Sequence, residues 1–243
     1  MKKGFTLAEV LITLSVIGVV AALTMPSLIG NYKKQVYVTQ LKKAVNVWDN
    51  GIKLMLAIEG SDYLNNTEFA QVIVNSGKTA YNATTVSGLS NATEILKKYF
   101  NIIKMEGTAS PITFKGLDGT DATYGNYDFE KIYLSDGSVY YVSLKDFNDT
   151  VISEKLNNGS ILIDVNGDKG PNQMGRDIFQ FFVYRTGTLV AGGSIRAKEI
   201  WNWDFWKTGT SGCGTEGSEK ITTGVKGWYC AARIIENGWE MDY

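Results

Sequence analysis

Met1-Lys2-Lys3-Gly4-Phe5-Thr6-Leu7-Ala8-Glu9 runs directly into an apolar segment from Val10 to Ile29. That segment holds Val, Ile, Leu, Ala, Gly, Met, Ser and Thr, one proline, and no charge. At about 1.5 Å rise per residue, a helix of this length crosses a hydrocarbon core of about 30 Å. A secretory signal peptide has a shorter apolar region with a small-residue cleavage site after it. Here the small residue at a natural cut point is Gly4, ahead of the apolar run. Cleavage there removes the basic head and leaves the spanning helix attached. Glu9 is a single carboxylate in greasy sequence. An ionised carboxylate in hydrocarbon costs on the order of a few kcal/mol and is kept for a partner; the alternative is a Glu that lies at headgroup level and snorkels.

Lys2, Lys3, Gly4, Phe5, Thr6, Leu7 and Glu9, with Pro26 late in the apolar helix, resemble the class III signal of type IV prepilins and type II secretion pseudopilins. The resemblance implies cleavage after Gly4 by a prepilin peptidase and N-methylation of Phe5. It also implies polymerisation with other pilin or pseudopilin subunits through the hydrophobic helices. Partners implied are the peptidase/methyltransferase and an inner-membrane assembly platform with its ATPase. Localisation follows: a single-pass inner-membrane protein with a cytoplasmic N-terminus, a periplasmic globular domain, and a periplasmic or extracellular filament after assembly. Flanking charge does not fix this topology, since Lys2 and Lys3 face Lys33, Lys34, Lys42 and Lys43 across the span. After cleavage, Glu9 of one subunit is placed to neutralise the Phe5 amine of its neighbour, because a charge pair in low dielectric loses less than either charge alone. Domain boundaries read as a leader at 1–4, a transmembrane and polymerisation helix at 5–30, and a globular domain at 31–243. Pro26 lacks an N–H and predicts a kink or a locally melted stretch over Ala22 to Pro26.

The 243 residues carry 24 basic and 25 acidic side chains, a formal net charge of −1, and no histidine. No basic excess exists to neutralise a phosphate backbone, so nucleic acid is not an expected partner. Without histidine the commonest general base and the usual triads and zinc sites are gone. No P-loop, Rossmann fingerprint or G-x-S-x-G appears, no catalytic residue is nominated, and no enzyme is expected. Cys213 and Cys230 are an even pair without other thiols. They read as a disulfide in an oxidising compartment, contributing about 3 kcal/mol in the chain-entropy model.

Beyond the span, Leu41, Val45, Trp48, Ile52 and Met55 recur at spacings of four and three, an apolar stripe for packing on a sheet. Gly51 weakens that helix and Gly60 is a stop. Ser61 to Gly107 reads as a polar connection with short helices. Asn91 and Glu94 form a capping box for a helix running to about Lys104 whose buried side is Ile95, Tyr99, Ile102 and Ile103. Thr108 to Phe129 reads as loop. Two hairpins follow, 131–134 with 139–142 around Asp136-Gly137, and 178–184 with 188–191 around Thr186-Gly187, with a strand at 161–165 between them. The fold class is α+β, a pilin-like fold in which a long N-terminal helix packs on a C-terminal antiparallel sheet.

One loop carries metal-ligand chemistry: Asp164-Val165-Asn166-Gly167-Asp168-Lys169-Gly170-Pro171, with Asp177 beyond. Alternating side-chain oxygens suit Ca²⁺. Lys169 and Gly175 depart from an EF-hand, and the loop instead resembles in place the calcium site of major pseudopilins. Candidate ligands are Asp164, Asn166, Asp168 and Asp177, with a carbonyl from Lys169–Gly170. A tight Asx/Gly turn is the alternative, and both stand open here. The cluster Trp201-Asn202-Trp203-Asp204-Phe205-Trp206 suits covering the sheet or, in a minor pilin at a filament tip, binding DNA or a surface glycan.

Overall fold

A computed structural model of the chain describes residues 4, 6–75, 94–108, 112–124, 129–144, 157–194, 212–213 and 226–243. The chain divides into two units, Met1–Val36 and Tyr37–Tyr243. Helix α1, Leu7–Glu59, supplies both. Its start is set by Thr6, whose Oγ1 accepts from the Glu9 N–H at 3.3 Å, while Thr6 N–H donates to Glu9 Oε2 at 2.8 Å. This is a reciprocal capping box that satisfies two of the orphan donors at a helix N-terminus. Its end is set by Gly60, at φ +63, which allows the Ser61 N–H to reach back to the Leu56 carbonyl at 3.0 Å.

Pro26 lies inside α1, and the helix is unbroken over Ala22–Pro26. The expected melted stretch is absent there. Proline removes a single backbone donor, and the turns on either side keep the ladder. In the first unit α1 leaves its apolar side chains exposed, among them Leu14 at 60%, Ile17 at 63% and Leu23 at 76%.

The second unit is the α+β body expected from sequence. A 3₁₀ turn, Leu64–Asn66, and helix α2, Glu68–Asn75, follow α1. Among the described residues the main sheet has six strands in the order β1 (Ile102–Thr108), β4 (Phe129–Leu134), β5 (Val139–Leu144), β6 (Asn157–Asp164), β7 (Ile178–Tyr184) and β8 (Leu189–Ala191). Every neighbouring pair is antiparallel. Strands β2 (Ile112–Lys115) and β3 (Asp121–Tyr124) form a separate hairpin. Helix α3, Cys230–Glu236, closes the tail.

The stripe on α1 meets the inner face of the sheet. Leu41, Ala44, Trp48, Ile52 and Met55 are buried in one cluster with Ile132, Tyr140, Val142, Ile161, Ile163, Phe179, Phe181 and Val183. Alternate residues of each strand point inward, as a pleated strand requires. Two buried bonds fix the helix on the sheet: Trp48 Nε1 donates to the Gly187 carbonyl at 2.9 Å, and Tyr140 OH donates to the Ala44 carbonyl at 2.8 Å. Gly51 is not a defect. A Cβ there meets the Phe100 ring at 2.4 Å, so the missing side chain is what lets Phe100 lie against α1 and beside Trp48, 5.5 Å between ring centres.

Two sequence expectations are corrected. Residues 94–96 form only a helical turn, and β1 begins at Ile102, so no helix reaches Lys104. Ile95 is buried as expected, whereas Ile103 is 69% exposed, the unpaired residue at a register shift between Ile102 and Lys104. Pairing along β4 decides the matter: Met105 lies opposite Ile132 and Gly107 opposite Glu130. The segment read as loop from Thr108 to Phe129 contains the β2–β3 hairpin. Asn91 lies outside the described residues.

Candidate functional site

The first candidate is the N-terminal segment. Gly4 is exposed and non-helical; Phe5 lies outside the described residues. Glu9 sits in the first turn of α1, its Oε2 accepting both the N–H and the hydroxyl of Thr6 at 2.8 Å. The carboxylate is therefore held by its own helix start, and its other oxygen takes no hydrogen bond among the described residues. Downstream, α1 is long and apolar enough to cross a membrane. Thr6 is the residue whose role the sequence analysis did not assign, although the spacing Thr6-x-x-Glu9 is itself a capping signature.

The second candidate is the turn between β6 and β7. Asp164 ends β6 and pairs with Ile178 at the start of β7, so the turn closes on itself and the Val165 N–H donates to the Asp177 carbonyl at 2.9 Å. Asp164 and Asp177 are 2% and 0% exposed. Asp177 accepts the Asn172 N–H on Oδ2 at 2.9 Å and the Gln173 N–H on Oδ1 at 2.6 Å. Asp164 Oδ1 accepts the Asn166 N–H at 3.2 Å. Burial, reinforced by the charge of Asp177, pushes the Asp164 carboxyl up to about 8. Burial also raises Asp177, against the backbone donors of Gln173 and Asn172.

Asn166 and Asn172 each bury an Oδ1 that accepts no hydrogen bond. Two buried carboxylates and two amide oxygens without donors, all in one turn, fit a hard divalent cation. Asp168 goes elsewhere: its Oδ1 is 2.8 Å from Lys131 Nζ. Among the described residues no three His, Cys, Asp or Glu side chains are grouped to hold a metal. The turn thus brings together Asp164, Asn166 and Asp177 and leaves Asp168 on the sheet surface.

This turn is tied to the C-terminal tail. Cys213 and Cys230 are joined in a disulfide. Gly175, at φ +79, packs on it so closely that a Cβ meets Cys230 Sγ at 2.6 Å. Tyr243 OH donates to the Gly175 carbonyl at 2.7 Å. Arg233 donates from Nε and Nη2 to the two oxygens of Asp242, at 2.7 and 2.8 Å, and from Nη1 to the Cys213 carbonyl at 2.7 Å. Trp228 is buried against Phe114, and Trp239 packs at the edge of the main core. The 201–206 cluster lies outside the described residues.

Residues 1–25 match the model of the prokaryotic N-terminal methylation motif. Together with the α+β architecture, that match supports a type IV pilin- or pseudopilin-like precursor. Residues 27–243 match the model of a family of unknown function (DUF6613), and the chain belongs to that family. No curated protein and no solved structure matches the chain.

Proposed function

We propose that this protein is a structural subunit of a type IV pilus-like or type II secretion pseudopilus filament. A prepilin peptidase hydrolyses the bond after Gly4, the new Phe5 amine is methylated, and the mature chain starts at Phe5. It is held in the inner membrane by the first half of α1, with the globular unit on the periplasmic side. A membrane platform with an ATPase partner moves it into the filament, where exposed apolar side chains of neighbouring α1 helices bury one another. The single observation that carries the reading is the Glu9 carboxylate at the head of an exposed, spanning-length apolar helix. Thr6 occupies one of its oxygens and leaves the other for the amine of a neighbouring Phe5. The work is structural, and no residue constellation nominates a reaction.

Glu9→Ala tests it. The variant is expected to insert into the membrane at wild-type level and to be cleaved, yet to form few or no filaments. Filaments at wild-type yield from that variant contradict the role given to Glu9.

We further propose a structural calcium ion in the β6–β7 turn, held by Asp164, Asn166 and Asp177 with Asn172. Support comes from the buried carboxylates and the amide oxygens without donors. Bound there, the cation balances two buried negative charges and fixes the turn on which the disulfide and Tyr243 rest.

A further inference from the structure

We propose that Tyr32, Lys33 and Lys34 form an anchor for anionic phospholipid headgroups at the C-terminal end of the membrane span, and that this anchor sets the depth of α1. The inference rests on the membrane-anchored reading given above.

Four lysines follow the apolar run: Lys33, Lys34, Lys42 and Lys43. Two of them belong to the globular unit and are engaged there. Lys43 Nζ is 3.3 Å from Asp136 Oδ2, and Lys42 Nζ lies 5.5 Å from the centre of the Trp239 ring. Lys33 and Lys34 make no ion pair among the described residues. Nor does their own stretch of helix offer a counter-charge, because no acidic residue occurs between Glu9 and Asp49. The two cations follow the last apolar residue, Ile29, which is 52% exposed, by four and five residues, little more than one turn of helix. Tyr32, 66% exposed, stands directly before them.

An exposed ring and two adjacent ammonium groups on a rigid helix, one turn beyond hydrocarbon-length apolar sequence, match what a headgroup layer takes up. The ring lies among the glycerol and ester groups, and the lysines reach the phosphates. A cation near an anionic surface gains about fivefold in partition for each lysine, and the gain decays within a Debye length of about 10 Å at 0.1 M salt. The registration has a consequence for Glu9. Because α1 is unbroken from Leu7 to Glu59, Lys33 lies about 36 Å along the axis from Glu9, more than the ~30 Å hydrocarbon thickness. With the lysines on the phosphates, Glu9 sits in the opposite headgroup layer of a free subunit. It meets low dielectric only when the subunit moves into the filament. The same two lysines then act as a depth stop rather than as topology signals.

The test uses the full-length protein reconstituted into vesicles. Its native cysteines are joined to each other, so one introduced cysteine reports alone. Ile29→Cys is labelled by a membrane-impermeant maleimide, with and without the pair Lys33→Glu and Lys34→Glu, in phosphatidylcholine and in phosphatidylcholine containing one-third phosphatidylglycerol. At low salt in the anionic vesicles, the charge-reversed protein is expected to label about tenfold faster or more, as the helix is pushed outward. The difference is expected to shrink in 0.5 M salt and in phosphatidylcholine alone. Equal labelling in anionic vesicles overturns the anchor. A difference of the same size in neutral vesicles also overturns it, since the effect is then not headgroup charge. Abolition of the difference by 20 mM inorganic phosphate at matched ionic strength overturns the lipid source. Gly18→Cys is the separate control on the span: if it labels readily in the otherwise native protein, the membrane reading itself fails and the depth anchor is not the cause.

Discussion

Asp164→Asn is the substitution with the most informative energetics. In the native protein this carboxyl is 2% exposed and stands beside Asp177, and its pKa rises from an ordinary 3.8 to about 8. The folded protein therefore holds a proton that the unfolded chain releases near pH 4. The linkage sign is fixed by this: between pH 4 and 8 the Asp164 carboxyl binds more proton in the folded state, so its contribution to stability is fully present below pH 4 and is lost as pH rises toward 8. Asp177, raised by its own burial, acts with the same sign. The rise in Asp164 alone corresponds to at most about 6 kcal/mol over the full window, of which about 4 kcal/mol falls between pH 5 and pH 8. For a chain of this size, 1 kcal/mol moves Tm by roughly 2–4 °C.

In detergent with a chelator, the full-length protein is therefore expected to melt lower at pH 8 than at pH 5, by up to roughly 8–16 °C. Asp164→Asn, which cannot ionise, is expected to flatten most of that slope. At pH 8, calcium at 5 mM is expected to restore about 1–2 kcal/mol to the wild type if the site has the affinity of extracellular modules, and clearly less to the variant. Scanning calorimetry at three pH values, with chelator and with calcium, reads all of this. A wild-type melt that does not depend on pH, or a variant with the wild-type slope, refutes the electrostatic argument. A calcium-insensitive melt at pH 8 removes the ion and leaves the turn as a backbone-held pair of acids.

Cys213→Ser with Cys230→Ser removes a cross-link over a sequence separation of 17 and is expected to cost about 3 kcal/mol, a fall in Tm of roughly 6–12 °C. A change below about 1 °C shows that the tail is held by Arg233, Asp242 and Tyr243 without it. Gly51→Ala tests the packing of Phe100. Helix propensity alone predicts a gain of about 1 kcal/mol, whereas a Cβ at 2.4 Å from a buried ring predicts a net loss of roughly 1–3 kcal/mol. Denaturant unfolding that shows stabilisation refutes the close approach.

The N-terminal helix was legible because its signals are local. Charge, apolar length and the spacing from Gly4 to Glu9 all lie within one short run, and the stripe from Leu41 to Met55 keeps its helical period where it meets the sheet. Asp136-Gly137 and Thr186-Gly187 marked their hairpins for the same reason, with Gly137 and Gly187 at φ +89 and +75. Strand β1 was missed because Ile102-Ile103-Lys104-Met105 suits a helix or a strand, and only its pairing with β4 decides. The β2–β3 hairpin carries the same dipeptide signal in Asp118-Gly119, but strands of four residues give too little alternation to recognise. In the acidic turn the residue types were visible in sequence. Their partners were not. Asp177 is met by the N–H groups of Asn172 and Gln173, and Asp168 is drawn to Lys131 on a strand far away in sequence. Gly175 has no Cβ to strike the disulfide that lies against it, a contact no local rule supplies.

The central claim is that the basic head is removed at Gly4 while the oily helix stays on the protein. Intact-mass and N-terminal peptide analysis of the protein extracted from membranes tests it most directly. The account predicts a chain that begins at Phe5 with one methyl group on its amine and retains every residue from Thr6 to Ile29. A mature product that still carries Met1, or one that begins beyond Ile29, contradicts it.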